Sequence, residues 1–217
     1  MVASKAWEWS NVSDERWRIP SEESYYLRER WKKQGYKNFL DLGCGVGRHS
    51  ILFAEAGFQV DAFDLSEDGI ELLREKAHNL NLPVKIIKGD IKELPYEDGI
   101  FDCLLAYHVI YHTDTDGIKK VIEEIERVLK PGGEFFITFL SKNNNSYNDI
   151  AYRIDHNTVI KMEEPEIGIP HFYTDLGGIK KLLRNFTIIK INHINEITLN
   201  SSKWHFNVHG LKTVQIT

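Results

Sequence analysis

The sequence predicts an α/β fold: a doubly wound, mostly parallel seven-stranded sheet with an antiparallel C-terminal strand and helices on both faces. Three observations carry the prediction. From Tyr36 onward, short apolar runs alternate with stretches of helical period, the pattern of successive βαβ units. A glycine-rich turn follows the first apolar run. Near the end the alternation stops, and two strand-like runs close the chain.

Each element has its own signal. The first 35 residues hold four of the five tryptophans, Trp7, Trp9, Trp17 and Trp31. Disordered segments are poor in such residues, so residues 1–35 are expected to pack on the domain as a helical lid. In "IPSEESYYLRERWKK", Ser21 is placed to cap a helix, with Glu22 and Glu23 at its positive end. "NFLDL" reads as the first strand and "RHSILFAEAG" as a helix closed by Gly57. "FQVDAFDL" is the second strand. "SEDGIELLREKAHNL" puts Ile70, Leu73, Ala77 and Leu80 on one face behind a Ser66 cap. "PVKIIKGD" and "FDCLLAYHV" are the third and fourth strands. In "TDGIKKVIEEIERVLK", Ile118, Val121, Ile122, Ile125, Val128 and Leu129 form one helical face. "PGG" at 131–133 stops it, and "EFFITFL" is the fifth strand. Residues 142–172 are polar and broken by Gly168 and Pro170, and are expected to be an irregular, substrate-covering insertion. "YTDLGGIKKLLRNF" resumes a short helix. "TIIKINHINEITLN" and "KWHFNVHGLKTVQIT" form an antiparallel hairpin at a sheet edge. No internal repeat or second domain is visible, so residues 1–217 are expected to form a single domain.

Composition narrows the function. The formal charge is 27 − 32 = −5, which argues against a nucleic-acid partner without closing the question of a local basic patch. Cys44 and Cys103 fit neither a metal spacing nor a disulfide framework. The chain shows no apolar signal core and no run of 18 apolar residues, so a soluble, cytoplasmic protein is expected.

In an open parallel sheet, ligands bind beyond the carboxyl ends of the strands. The turn in "DLGCGVGRHS" lies there. Gly43, Gly45 and Gly47 have no Cβ to hold off a ligand, and the next helix points amide N–H groups at the same place. A dinucleotide site needs GxGxxG; here the register is GxGxG, with Arg48 next. Asp41 would repel a diphosphate but attract an amino group and a sulfonium. The turn therefore favours S-adenosylmethionine over NAD. Asp64, at the end of the second strand, can accept from both ribose hydroxyls, a need shared with NAD sites. Asp90, after the third, can accept from an adenine amino group, and Ile91 can pack on the adenine face. Singly each acid reads as a cap or solvated turn; together they read as one site.

Through "DLGCGVGR" and "LKPGG" the chain resembles the class I (Rossmann-like) S-adenosylmethionine-dependent methyltransferases over roughly residues 36–140. The resemblance implies that Gly43, Cys44 and Gly45 approach the methionine part of the cofactor, with Asp41 near its amino group. It implies that Asp64 and Leu65 hold the ribose, that Asp90 and Ile91 hold the adenine, and that the Tyr107 backbone lies nearby. Arg48 would lie near the cofactor carboxylate or form a surface ion pair. The product would be S-adenosylhomocysteine. "GCGVGRHSILFAEAGFQVDAFD" and "WHFNVHGLK" are further similar to the small-molecule branch that includes tellurite and thiopurine methyltransferases, without assigning a substrate.

Methyl transfer is an in-line displacement, so the protein mainly positions the acceptor and excludes water. A base is needed only if the acceptor arrives protonated. His108 and His112, just beyond the fourth strand, are the candidates. In the family the place matching His112 is frequently structural. Tyr111, Tyr152 and His171 are candidate acceptor contacts. No metal is expected, because the histidines do not sit with a clear acidic ligand set. "AYHVIYH" stands where amino methylation of nucleic-acid bases uses (D/N)PP(Y/F), and both cysteines read as packing residues. A small-molecule acceptor with an O, N or S nucleophile is expected. The alternatives are a tRNA or protein methyltransferase, a non-catalytic S-adenosylmethionine-binding protein and, last, an NAD oxidoreductase.

Overall fold

The computed structural model of the chain describes residues 2–9, 12, 15–162, 166–199 and 202–214. The elements run α1 (Glu22–Lys33), β1 (Asn38–Leu42), α2 (Arg48–Glu55), β2 (Gln59–Asp64), α3 (Glu67–Asn79), β3 (Val84–Lys88), β4 (Phe101–Ala106), α4 (Thr115–Val128), β5 (Leu129–Ser141), β6 (Arg153–Asp155), β7 (Thr158–Ile160), β8 (Pro170–Thr174), α5 (Leu176–Leu182), β9 (Phe186–Ile197) and β10 (Ser202–Lys212). The main sheet has the order β3-β2-β1-β4-β5-β10-β9. Its first five strands are parallel, and β10 is antiparallel to both neighbours. The closing hairpin thus inserts β10 beside β5 and leaves β9 at the edge.

Apolar patterning fixes the two faces. The helical stripe of α4, from Ile118 to Val128, is buried against Leu40, Leu104, Phe135 and Ile137 of the sheet, with Ile179 of α5 in the same cluster. On the other face, Leu27 and Trp31 of α1 and Leu52 and Phe53 of α2 pack on Phe39 and Phe136. Phe39 and Phe53 stack with ring centroids 4.0 Å apart. Side-chain caps set the starts of three helices: Ser66 accepts from Gly69 N, Asp114 from Gly117 N and Asp175 from Gly178 N.

One buried acid fastens α1 to the sheet. Glu134 of β5, 2% exposed, accepts from Arg30 through Nε at 2.9 Å and Nη2 at 2.7 Å, and from Trp31 Nε1 at 2.8 Å. Gln34 Nε2 and His209 Nε2 complete the set, each at 2.8 Å. Although burial opposes the charge, the hydrogen bonds from His209, Arg30, Gln34 and Trp31 hold this carboxyl far below the usual glutamate range.

Three local expectations change. "PGG" does not separate helix from strand: β5 begins at Leu129, and the glycines fall in a register shift between Phe101 and Cys103 of the partner strand. The helix expected from Tyr173 begins at Leu176, because "PHFYT" is β8. Residues 142–172 are irregular only in part: β6 and β7 form a hairpin, and β7 pairs with β8. Leu140 pairs with both His205 and Tyr173, so β8 joins β5 on the side that β4 leaves after Ile137. Strands of three polar-rich residues carry no readable period. Side-chain bonds hold them instead: Asp155 accepts from the Thr115 hydroxyl, Asn157 N and the Thr158 hydroxyl, each at 2.8 Å. Among the described residues no helix is long and apolar enough to cross a membrane.

Candidate functional site

Chain order reverses between β1 and β4, so a crevice opens beyond their carboxyl ends. The turn after β1 faces the turn after β4. Gly43 has φ +73°, and a Cβ there would meet Val109 Cγ2 at 2.2 Å. Gly45 has φ +52°, and its Cβ would strike the Trp9 ring at 2.2 Å. No side chain fits either place, which is why the turn is glycine at both. Gly45 N donates to Asp64 Oδ2 at 2.7 Å and Ser66 N to Asp64 Oδ1 at 2.8 Å. Burial pushes the Asp64 carboxyl up, against the pull of these N–H groups.

Gly43, Cys44, Asp64, Leu65, Asp90 and Ile91 line a cavity of about 100 Å³. Arg48, Tyr107, His108, Tyr111 and His112 line its remaining wall. Asp90 Oδ1 accepts from Lys92 N at 3.0 Å, leaving Oδ2 3.5 Å from Lys92 Nζ.

The N-terminal segment crosses this cavity as a strap. Val2 N donates to Asp114 Oδ2 at 2.5 Å and Val2 O accepts from Lys92 Nζ at 3.0 Å. Lys5 Nζ donates to Ile167 O. Trp7, Trp9 and Trp17 then line the cavity and pack on one another, with centroids 5.9 to 6.5 Å apart. The density of tryptophans signalled packing, but nothing in the sequence placed them over the glycine turn.

The "RHS" after the turn ties this strap down. Arg48 Nη1 donates to Arg16 O at 2.8 Å and Ile19 O at 3.1 Å, and the guanidinium lies over the Trp17 and Tyr107 rings. Arg48 also lines the cavity. His49 Nε2 accepts from Ser21 N at 3.1 Å, and Ser50 Oγ donates to Asp41 Oδ2 at 2.5 Å. Asp41 is buried at the end of β1. Strand alternation turns it, like Phe39, to the face covered by α2; it is 1% exposed and absent from the cavity wall. Burial raises its carboxyl to about 6.

A second, larger cavity lies beside the first and shares Trp17, Arg48, Tyr107, His108, Tyr111 and Glu166 with it. Tyr152, His171, Tyr173 and His205 line the second cavity only. His108 adopts φ +58° and its Nδ1 lies 3.2 Å from the Tyr111 hydroxyl. Burial, helped by His205, lowers the basicity of His108 well below the ordinary value. Burial and the neighbouring His171 lower His112 to about 3. Both rings are neutral at neutral pH and accept a proton poorly. Glu166 was missed by sequence reasoning: it is one of three acids in "MEEPEIG", yet it stands within 4.8 Å of ring nitrogens of His112 and His171.

Residues 40–137 match the family model described as "Methyltransferase domain". Over 151 residues, 69% of its length, the chain is 31% identical to the sterol 4-C-methyltransferase strm-1 of Caenorhabditis elegans, of which it covers 44%. The chain spans roughly half the length of the curated relatives it matches. Its fold is shared with a crystal structure of S-adenosylmethionine-dependent methyltransferases from Methanosarcina mazei, at TM-score 0.72 and 20% identity, covering 83% of this chain and 94% of that one. It is shared also with the Burkholderia thailandensis 1,6-didemethyltoxoflavin-N1-methyltransferase, crystallised with 1,6-didemethyltoxoflavin and S-adenosylhomocysteine. That likeness has TM-score 0.66 and 20% identity, over 93% of this chain and 80% of that one.

Proposed function

We propose that the chain is a class I S-adenosylmethionine-dependent methyltransferase that methylates an O, N or S atom of a small molecule, a reading supported by the match of residues 40–137 to the methyltransferase-domain model. The observation that carries this reading is the pair of adjoining cavities. One is built on the glycine turn and Asp64; the other is walled by Tyr111, Tyr173 and His205. The cofactor would lie beside Gly43 and Cys44, under the Trp9 ring that packs on Gly45. Asp64 would take the ribose, and Asp90 with Ile91 the adenine. When bound, S-adenosylmethionine supplies a methyl group already activated on a sulfonium.

The protein's share is then positioning and exclusion of water. The tryptophan strap closes the cofactor side, and residues 142–172 close the acceptor side. Tyr107, His108 and Tyr111, on the wall common to both cavities, orient the acceptor. The neutral state of His108 and His112 suits them to lining and hydrogen bonding rather than to proton uptake. Tyr152 and His171 contact the acceptor farther out. Two unpaired, buried thiols fit a cytoplasmic setting.

The test is transfer of a labelled methyl group from S-adenosylmethionine in a cell extract fractionated by size. Label is expected in the small-molecule fraction, and a chain lacking residues 2–20 is expected to lose most of the transfer. Label recovered chiefly in tRNA or protein, or full transfer by the truncated chain, would overturn the acceptor class or the strap's role respectively.

A further inference from the structure

The wall between the two cavities holds a cluster that methyl transfer does not explain. His112 comes from the turn after β4, Glu166 from the segment that enters β8 and His171 from β8 itself. One ring nitrogen of each histidine and one carboxylate oxygen lie within 4.8 Å of one another. His112 Nε2 is buried without a hydrogen-bond partner. His171 Nδ1 lies 3.1 Å from Ile169 O, so its N–H is committed to that carbonyl. A neutral His171 therefore aims the Nε2 lone pair at Glu166 Oε1, 3.1 Å away. Two acceptors facing each other need a proton or a metal ion between them. The orphaned nitrogen of His112, on a ring whose centroid is 4.8 Å from that of His171, is what a lone His171–Glu166 pair leaves unexplained.

We propose that His112, Glu166 and His171 bind a divalent transition-metal cation, with zinc the best match to the donors. Two imidazoles and one carboxylate are the ligand set of open zinc sites, which leave the fourth position to water or substrate. Magnesium and calcium prefer all-oxygen shells. The hydrogen bond from His171 Nδ1 to a backbone carbonyl is the usual outer support of a ligating imidazole. Small side-chain movements bring the donors to the ~2.0–2.2 Å bond lengths that zinc requires. The strap braces the segment between the two ligands it supplies, through Lys5 and Ile167.

The position gives the cation a use. His112 lines the first cavity, His171 the second and Glu166 both. An acceptor hydroxyl or thiol that coordinates the open position gives its proton to water, and the freed lone pair is the one that takes the methyl group. This use rests on the proposed methyl transfer, whereas metal binding does not, so the test measures binding with no cofactor present.

The full chain, free of any metal-binding tag, is titrated with zinc chloride by calorimetry. One zinc per chain is expected, with magnesium giving no saturable heat. His112→Gln, Glu166→Gln and His171→Gln are each expected to weaken binding at least about tenfold, since loss of an outer-shell partner alone costs 10- to 100-fold. His78→Gln, an exposed site on α3, is expected to leave binding unchanged. If a variant fails to fold, the visible spectrum of cobalt-loaded wild-type chain decides, since histidine ligation changes it from that of the aquo ion. An aquo-like spectrum, no stoichiometric zinc binding, or binding that His112→Gln and His171→Gln leave intact would reduce the cluster to a protonated His171–Glu166 pair.

Discussion

Asp64→Ala is expected to lower the affinity for S-adenosylhomocysteine at least about a hundredfold, or ~2.7 kcal/mol. Both carboxylate oxygens already accept backbone N–H groups, from Gly45 and Ser66. Each retains a lone pair for a ribose hydroxyl. Hydrogen bonds to a charged acceptor contribute about 1.5–3 kcal/mol each, so losing two reaches the stated figure without help. The substitution also frees Gly45 N, and with it the turn that must hold its left-handed backbone beside the ligand. Asp64→Asn, which keeps one carbonyl oxygen, is expected to fall between wild type and Asp64→Ala. The check is calorimetric titration of the three proteins. Affinity of Asp64→Ala within threefold of wild type would remove Asp64 from the cofactor site.

Glu134→Gln is expected to destabilise the fold by about 3–5 kcal/mol, the cost of breaking a buried charge pair from one side. Glutamine offers one acceptor oxygen where five donor contacts converge, and it sets its own amide hydrogens against some of those donors. Arg30 can turn to solvent, but Trp31 Nε1 is buried and cannot. For a chain of this size the loss corresponds to a fall of roughly 10 °C in Tm, read by thermal unfolding. The same carboxyl links stability to pH. Its folded pKa is depressed, so the stability it confers is complete above the unfolded glutamate value and is lost as pH falls below it. The gap between wild type and Glu134→Gln should therefore narrow on acidification, and a gap constant with pH would contradict the charge-based account.

The two faces of the main sheet were legible because each parallel strand is a short apolar run and each helix carries its own stripe. The hairpin β6–β7 was not, since three-residue strands have no period and depend on Asp155, whose partner Thr115 is 40 residues away. Asp41 illustrates a different limit. Its residue type fits a cation, but alternation within "NFLDL" assigns it to one face, and only the packing of α2 shows that this face is buried and gives it Ser50 as a partner. Arg48, His49 and Ser50 were visible as an unusual run, yet their partners lie in the strap, at the start of α1 and in β1. Asp64, Asp90 and Ile91 were readable because they follow parallel strands, whose carboxyl ends share one side of the sheet. Glu166 offered no signal, because nothing in "MEEPEIG" sets it apart from Glu163 and Glu164, and it acquires meaning only beside His112 and His171.

The central claim is that the crevice between β1 and β4 takes a sulfonium nucleoside rather than a dinucleotide. Calorimetric titration of the full chain with S-adenosylhomocysteine, and separately with NADH, tests it most directly. One saturable site for S-adenosylhomocysteine and no saturable heat with NADH is the predicted result. Saturable NADH binding, or no binding of S-adenosylhomocysteine, would contradict it.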